Sequence, residues 1–330
     1  MTCSGSDSGG ADMPLLVVDT LRAYYRTSGA TVRAVDGVTF SVEAGQSLGV
    51  AGESGCGKST LALSLMRLLK GGEVVAGSIN LDGLSLLEMS AKDFNRVRWE
   101  KLAFVPQAAM DGLDPVYCIG DQIVEAILAH RKMSKADAWK RAETLLQQVD
   151  INPARARDYP HQLSGGMRQR AMIAMALALD PQMIIADEPT TALDVITQAQ
   201  VLKLLRRIQR ELGIAIIFIS HDLSTLAQAC DRVMIMYAGK VVEMADAAAL
   251  FAEPVHPYTR ALLLSFPDID RKMPTRALRG APPDLSQAFA GCRFSPRCPE
   301  ATEQCLQEEP QMMTVSPGHE VSCHLQRQAP

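Results

Sequence analysis

The tightest constraint on the fold of this 330-residue chain is a short glycine-rich stretch, Gly52-Glu53-Ser54-Gly55-Cys56-Gly57-Lys58-Ser59-Thr60. Gly52 to Ser59 fits the pattern G-x-x-x-x-G-K-[ST] at every position. Context gives the pattern its weight. Ser47 to Ala51 reads as a short apolar strand that runs straight into the loop, and Leu61 to Leu69 carries good helix formers and leaves it. In the order strand, loop, helix, the glycines let backbone N–H groups turn inward around phosphate oxygens, and the helix N-terminus points at the same anion. A chance Gly/Ser turn has no reason to lie between a strand and a helix. In such a cradle Lys58 reaches the β- and γ-phosphates and Ser59 ligates Mg²⁺, beside Gly52, Ser54, Gly55, Gly57 and Thr60. Cys56 fills a variable position and reads as a small side chain, not a nucleophile.

A second element, Ile184-Ile185-Ala186-Asp187-Glu188-Pro189, is a buried-strand pattern closed by two acids. Acids at the C-terminal end of a parallel strand face the site at the sheet edge. Asp187 suits the metal, directly or through water, and Glu188 suits a general base for the attacking water. One acid capping the turn before Pro189 would leave the other unexplained. Between these elements lies Leu163-Ser164-Gly165-Gly166-Met167, with Met167 20 residues before Asp187. Alone it reads as an ordinary N-cap and turn. Placed here, it opens a helix near Met167 and makes a second anion-ready N-terminus. One monomer does not need two such sites for one nucleotide, whereas two subunits placed head to tail pair each loop with the other's helix.

Composition narrows the function classes. Hydrophobic residues make up 47% and charged residues 21%, a globular balance. A net charge of −4, from 33 basic and 37 acidic residues, gives no general attraction to nucleic acid or acidic lipid. The longest apolar stretch, Ala171 to Leu179, is far shorter than the ~20 residues of a membrane-spanning helix. Residues 1–13 are rich in Ser, Gly and Asp, without the basic start and apolar core of a signal peptide, and are expected to be a disordered tail of a cytoplasmic protein.

Along the chain, Leu15 to Val18, Val38 to Val42, Met183 to Ala186 and Ala215 to Ser220 read as strands. Val233 to Tyr237 and Lys240 to Val242 read as a strand pair across Ala238-Gly239. Helices are expected at Gln169 to Leu179 and Thr197 to Leu212. Val116 to Val149 has helical spacing (Ile119, Ile123, Ile127, Leu145, Leu146, Val149) and reads as an insertion. After about Ala252 proline content rises and the pattern turns irregular, which sets a boundary near 250. No internal repeat is visible.

Taken together, the motifs resemble those of the ATPase subunit of ATP-binding cassette (ABC) transporters, in the family's order from about residue 15 to 250. The resemblance implies an α/β fold: a P-loop NTPase (RecA-like) core with an antiparallel β subdomain and a helical insertion at about 115–168, plus a small Cys-rich C-terminal extension over 251–330. Gln107 matches the Q-loop glutamine, which meets Mg²⁺ and water and senses the permease. Ser164, Gly165 and Gly166 match the signature that binds the γ-phosphate of the opposite subunit's ATP. Ala192-Leu193-Asp194 matches the D-loop, with Asp194 its acid, and His221 the switch histidine, which contacts the γ-phosphate and orients water. Tyr25 aligns with the aromatic that stacks on adenine, and the adjacent Tyr24 is the alternative. The family reading gives Glu188, His221 and Gln107 as catalytic and Ser59, Gln107 and Asp187 as Mg²⁺ ligands.

Met167 stands where many cassettes have Gln, past the phosphate-contacting trio. Leu163 to Met167 and His256-Pro257-Tyr258-Thr259-Arg260-Ala261-Leu262 resemble the peptide and nickel importer branch, as does the cysteine tail. Of eight cysteines, four fall late: Cys292, Cys298, Cys305 and Cys323, spaced C-x5-C-x6-C-x17-C. This spacing lacks the paired knuckles of structural zinc and the common ferredoxin pattern, so it supports a four-thiolate site without choosing the metal. By resemblance to dipeptide and oligopeptide permease ATPases the site is expected to hold a [4Fe–4S] cluster, with Zn²⁺ second, in a structural role. Four unligated thiols are the competing reading, and His319 and His324 flank the last cysteine as substitute ligands.

The resemblance implies an ATP hydrolase at the cytoplasmic face of the membrane. Its partners are a second, related ATPase chain, two permease subunits and, indirectly, an extracytoplasmic solute-binding protein. Motion is expected to pass to the permease through the Gln107 to Asp121 region. Peptides are the expected cargo, with nickel or another small solute as the alternative. A soluble cassette ATPase acting on DNA or ribosomes is the rival class, but such chains carry two cassettes, long coiled coils or basic patches. A non-catalytic scaffold is opposed by Lys58, Asp187, Glu188 and His221.

Overall fold

The computed structural model describes residues 13–27, 29–107, 112–265, 278 and 280–326. The expected N-terminal tail, apart from Met13, lies outside them, as do four residues of the Gln107 to Asp121 region. The strands are β1 (Leu16–Thr27), β2 (Ala30–Val42), β3 (Ser47–Ala51), β4 (Gly72–Leu81), β5 (Leu84–Ser85), β6 (Leu102–Val105), β7 (Met183–Asp187), β8 (Ala215–Ile219), β9 (Arg232–Tyr237), β10 (Lys240–Asp246), β11 (Met313–Ser316) and β12 (His319–Val321). The helices are α1 (Lys58–Leu65), α2 (Ala91–Glu100), α3 (Ile119–His130), α4 (Lys135–Gln148), α5 (Gly165–Ala176), α6 (Val195–Leu212), α7 (Leu223–Ala229), α8 (Ala247–Ala252), α9 (Pro257–Leu264) and α10 (Glu303–Gln307).

The main sheet has the order β11-β12-β10-β9-β3-β8-β7-β6. β9, β3, β8, β7 and β6 are parallel, and β10, β12 and β11 add antiparallel strands at one edge. The parallel strands are buried on both faces, which is why they read as continuous apolar runs. Side chains still alternate between two cores. Ile184, Ala186, Ile216, Phe218, Val233 and Ile235 join a core with α3 to α6. Met183, Ile185, Ala215, Ile217, Leu48 and Val50 join one with α1 and the second sheet. That second sheet, β2-β1-β4-β5, is antiparallel.

β1 and β2 are far longer than the apolar runs that pointed to them. The pairing register of β1 shifts between Val18 and Leu21, leaving Asp19 and Thr20 both exposed, with Thr20 at φ 45°. A bulge breaks the period of two, so a pattern reading stops at Val18. The helical insertion is α3, α4 and the start of α5, closed by Ile119, Ile123, Ile127, Leu145, Leu146 and Val149 in one buried cluster. The C-terminal stretch is less irregular than its prolines suggest. β12 pairs with β10, and Tyr258, Leu262 and Phe294 are buried in the same core as the parallel strands.

Candidate functional site

Four chain segments leave the same, C-terminal edge of the parallel sheet: Gly52 after β3, Gln107 after β6, Glu188 after β7 and His221 after β8. The glycine loop turns tightly. Gly57, the N-cap of α1, has φ 107°, and a Cβ there would overlap the Ala34 carbonyl oxygen. Ser54 and Gly55 form the exposed outer turn, while Ser59 and Thr60 open α1. Lys58 is buried, and its Nζ donates to the carbonyl oxygens of Gly52 (2.7 Å) and Glu53 (3.0 Å).

Asp187 is buried at the end of β7, near enough to Ser59 for that side chain to lower its carboxyl pKa. Its Oδ1 has no hydrogen-bond partner among the described residues. Burial raises the Asp187 pKa, and the neighbouring Glu188 charge adds to this, against lowering by Ser59 and Lys58. An unpartnered, desolvated carboxylate oxygen beside the loop serine fits a hard divalent cation, with Ser59, Asp187 and Gln107 as the available oxygen donors.

Glu188 sits in the left-handed region at φ 47°, so its side chain leaves the strand direction and enters the site. One carboxylate oxygen, Oε2, accepts from Gln107 Nε2 and from Thr191 Oγ1, both at 2.8 Å. The other, Oε1, lies 3.0 Å from His221 Nδ1. Burial pushes the Glu188 pKa up, but the hydrogen bonds from His221 and Thr191 and the charge of Lys58 outweigh it and hold the carboxyl below its usual range. Thr191 was not singled out in the sequence; its position three residues after Glu188 is the only signal that places it here.

Ser164 N-caps α5, its Oγ accepting the Met167 N–H at 3.3 Å. Asp194 N-caps α6: Oδ1 accepts the Thr197 N–H at 3.0 Å and Oδ2 the Thr197 hydroxyl at 2.7 Å. Gly166 is buried directly against Thr197, where a Cβ would overlap the Thr197 methyl group. The two helix N-termini therefore abut within one chain. Val195 and Ile196, next to Asp194, are 80% and 72% exposed. Adjacent tyrosines of β1 point apart. Tyr24 donates to Asp36 Oδ1 at 2.6 Å, whereas Tyr25 Oη lies 3.5 Å from Thr60 Oγ1.

Cys292, Cys298, Cys305 and Cys323 line one cavity of about 10 Å³ together with His256 and His324. That is room for about one water-sized group. Burial pushes the Cys292 and Cys298 thiols up, and Cys323 to about 11; nearby thiols add to this at all three. A soft cation would reverse that penalty. As placed, however, no three His, Cys, Asp or Glu side chains among the described residues are arranged to hold a metal ion. His319 does not take part. Its Nε2 lies 2.7 Å from Oε1 of the fully buried Glu243, a polar group that needs hydrogen-bond partners there. His324 Nε2 donates to the Glu308 carbonyl at 2.9 Å.

A glycine loop, two strand-end acids, a strand-end histidine and a second capped helix N-terminus define a P-loop ATPase of the cassette type. A family model described as "ABC transporter" matches residues 35–191, and one described as "Oligopeptide/dipeptide transporter, C-terminal region" matches 242–305. The oligopeptide transport ATP-binding protein AppD of Bacillus subtilis is 43% identical over 94% of this chain and 96% of its own. The dipeptide transport ATP-binding protein DppD of Escherichia coli is 43% identical over 94% of this chain and 97% of its own. Among solved structures, the dimeric ADP- and Pi-bound cassette MJ0796 matches with a TM-score of 0.64 at 27% identity, over 70% of this chain and 98% of that one. The chain belongs to the ABC transporter ATPase family, in its dipeptide and oligopeptide branch.

Proposed function

We propose that this chain is the ATP-hydrolysing subunit that energises import of di- or oligopeptides through a membrane permease complex. The observation that carries the catalytic part is Glu188, whose carboxylate is gripped at once by Gln107, Thr191 and His221 beside the Lys58–Ser59–Asp187 cluster. Its depressed pKa keeps it ionised at neutral pH, ready to accept a proton from the attacking water. His221, held through Nδ1, has Nε2 free to face the γ-phosphate. Lys58 and the loop amides take the β- and γ-phosphates, and Ser59, Asp187 and Gln107 hold Mg²⁺, which neutralises phosphate charge when bound. Tyr25 stacks on the base, a role its place beside Thr60 favours over the engaged Tyr24.

Ser164, Gly165, Gly166 and Asp194 complete the site of a second subunit, a related chain. The exposed Val195 and Ile196 beside Asp194 support a protein partner on this face. No helix among the described residues is long and apolar enough to cross a membrane. In this reading two permease subunits form the passage, and this chain docks on their cytoplasmic face. An extracytoplasmic binding protein delivers the solute. Peptide cargo is supported by the matched C-terminal region and by the names of the relatives; nickel is the second reading within the same branch.

The four-cysteine pocket is the finer part of the proposal: a structural metal centre, [4Fe–4S] first and zinc second. Support comes from four thiols, separated by 5, 6 and 17 residues in sequence, brought to one cavity; entry of a cluster requires them to part.

The test of the catalytic assignment is Glu188→Gln in the assembled transporter. ATP turnover should fall by about 100-fold or more while ATP-dependent dimerisation persists. Turnover at the wild-type rate would remove Glu188 from the role of base.

A further inference from the structure

Glu53, the second residue of the glycine loop, is fixed from three directions. Its carbonyl accepts from Lys58 Nζ at 3.0 Å. The other two fixings come from beyond residue 250. Its N–H donates to Tyr258 Oη at 3.0 Å, and its carboxylate accepts two N–H bonds from Arg297, at 2.6 and 3.0 Å. Arg297 also donates to Tyr237 Oη at 3.2 Å, and its guanidinium lies over the Tyr237 ring. The Arg297 side chain is 5% exposed and the Glu53 side chain 24%, so this is a half-buried, bidentate ion pair and not a surface contact.

The anchor behind it is rigid. Tyr237, Tyr258 and Phe294 pack ring on ring, with centroids 4.6 to 5.3 Å apart. Arg297 ends the 3₁₀ turn Ser295–Arg297 that follows Phe294. From the same segment Arg293 pairs with Asp36 of β2, which also accepts from Tyr24.

We propose that Arg297 is a positioning residue for ATP binding: the C-terminal extension, through Arg297 and Tyr258, fixes the phosphate loop at Glu53 and neutralises its carboxylate. The inference rests on the ATP reading of Gly52 to Thr60. Two physical effects follow. A loop held at the Glu53 amide and carboxylate loses less freedom when its N–H groups close on phosphate, so less ordering cost falls on binding. A carboxylate at the loop's second position repels a triphosphate unless it is paired, and in this low-dielectric setting the repulsion is not fully screened. Arg297 removes that repulsion.

The test compares Arg297→Ala, Arg297→Lys, Glu53→Gln and the Glu53→Gln/Arg297→Ala double variant in the full chain. Equilibrium binding of a fluorescent ATP analogue is read together with thermal unfolding without nucleotide. Arg297→Ala should weaken nucleotide binding by about tenfold, because it leaves an unpaired carboxylate at the loop. Arg297→Lys, which keeps charge but loses the fork, should fall between. In the Glu53→Gln background, Arg297→Ala should lose most of its effect, which a general loss of packing would not do. In the assembled transporter the loss should appear in KM more than in kcat. Folded Arg297→Ala binding within twofold of wild type, or an equal loss in both backgrounds, would overturn the proposal. Wild-type chain that takes up no nucleotide would instead overturn the ATP reading beneath it.

Discussion

His221 Nδ1 stands 3.0 Å from Glu188 Oε1, and this one approach ties the end of β8 to the end of β7 across the mouth of the site. The histidine side chain is 62% exposed and the glutamate 16%. The acid is thus the more firmly fixed member, held on its other oxygen by Gln107 and Thr191, and the histidine the more exposed one.

The pH dependence of turnover follows from those bonds. Burial would raise the Glu188 pKa, yet its hydrogen bonds leave it lowered. A lowered carboxyl pKa means the ionised form is favoured by folding. Its contribution is present above the unfolded-chain value, ~4.3 for Glu, and is lost as pH falls through the lower folded value. Thr191→Val removes one donor without touching substrate groups. The acidic limb of kcat against pH should move upward in this variant, with neutral-pH kcat reduced by less than about tenfold. An unmoved limb would show that Thr191 does not set the base.

Asp187 behaves in the opposite sense. Its raised pKa, caused first by burial, means that its charge at neutral pH works against the nucleotide-free fold. Asp187→Asn should therefore unfold at the same or a higher temperature than wild type without nucleotide. With Mg-ATP the order should reverse, since the unpartnered Oδ1 is then the oxygen a cation needs. Hydrolysis should fall by about 100-fold or more. Calorimetry with and without Mg-ATP checks both signs.

Much of this site was legible because its chemistry sits on runs of local sequence. β3, the glycine loop and α1 are contiguous, and β7 ends in its two acids. What stayed hidden depends on distance or on broken periodicity. Nothing local joins Arg297 to Glu53, 244 residues earlier, and only the packing of Tyr237, Tyr258 and Phe294 brings them together. The bulge at Asp19-Thr20 concealed most of β1. His319 looked like a metal ligand by adjacency to Cys323, but Glu243 on β10 claims it.

The cysteine pocket makes a prediction that does not involve activity. Chain prepared anaerobically with iron and sulfide should show visible charge-transfer absorbance and about four iron atoms per chain. Zinc near one per chain without that absorbance selects the second metal. Cys298→Ser and Cys323→Ser should each abolish loading and lower the unfolding temperature of the loaded protein. Chain that retains neither metal leaves the pocket as four free thiols and sinks the metal proposal.

Gly166 and Thr197 give the sharpest steric prediction. The signature helix α5 starts where α6 starts, and the space between them has no room for a Cβ at residue 166 beside the Thr197 methyl. Thr197 cannot simply rotate away, because its hydroxyl and its N–H both bind Asp194. Gly166→Ala should therefore destabilise the chain by about 1–3 kcal/mol, the usual cost of overpacking. Thr197→Ser deletes the offending methyl and keeps the hydroxyl. The Gly166→Ala/Thr197→Ser pair should recover most of the lost stability in urea unfolding, a coupling that independent sites do not show. If the double variant is as unstable as the sum of its parts, the glycine is there for backbone freedom or for a ligand and not for Thr197. If rescue of stability leaves ATP-dependent dimerisation impaired, the added methyl also obstructs the nucleotide of the partner subunit. That second outcome would separate the packing role of Gly166 from the role proposed for it in the paired site.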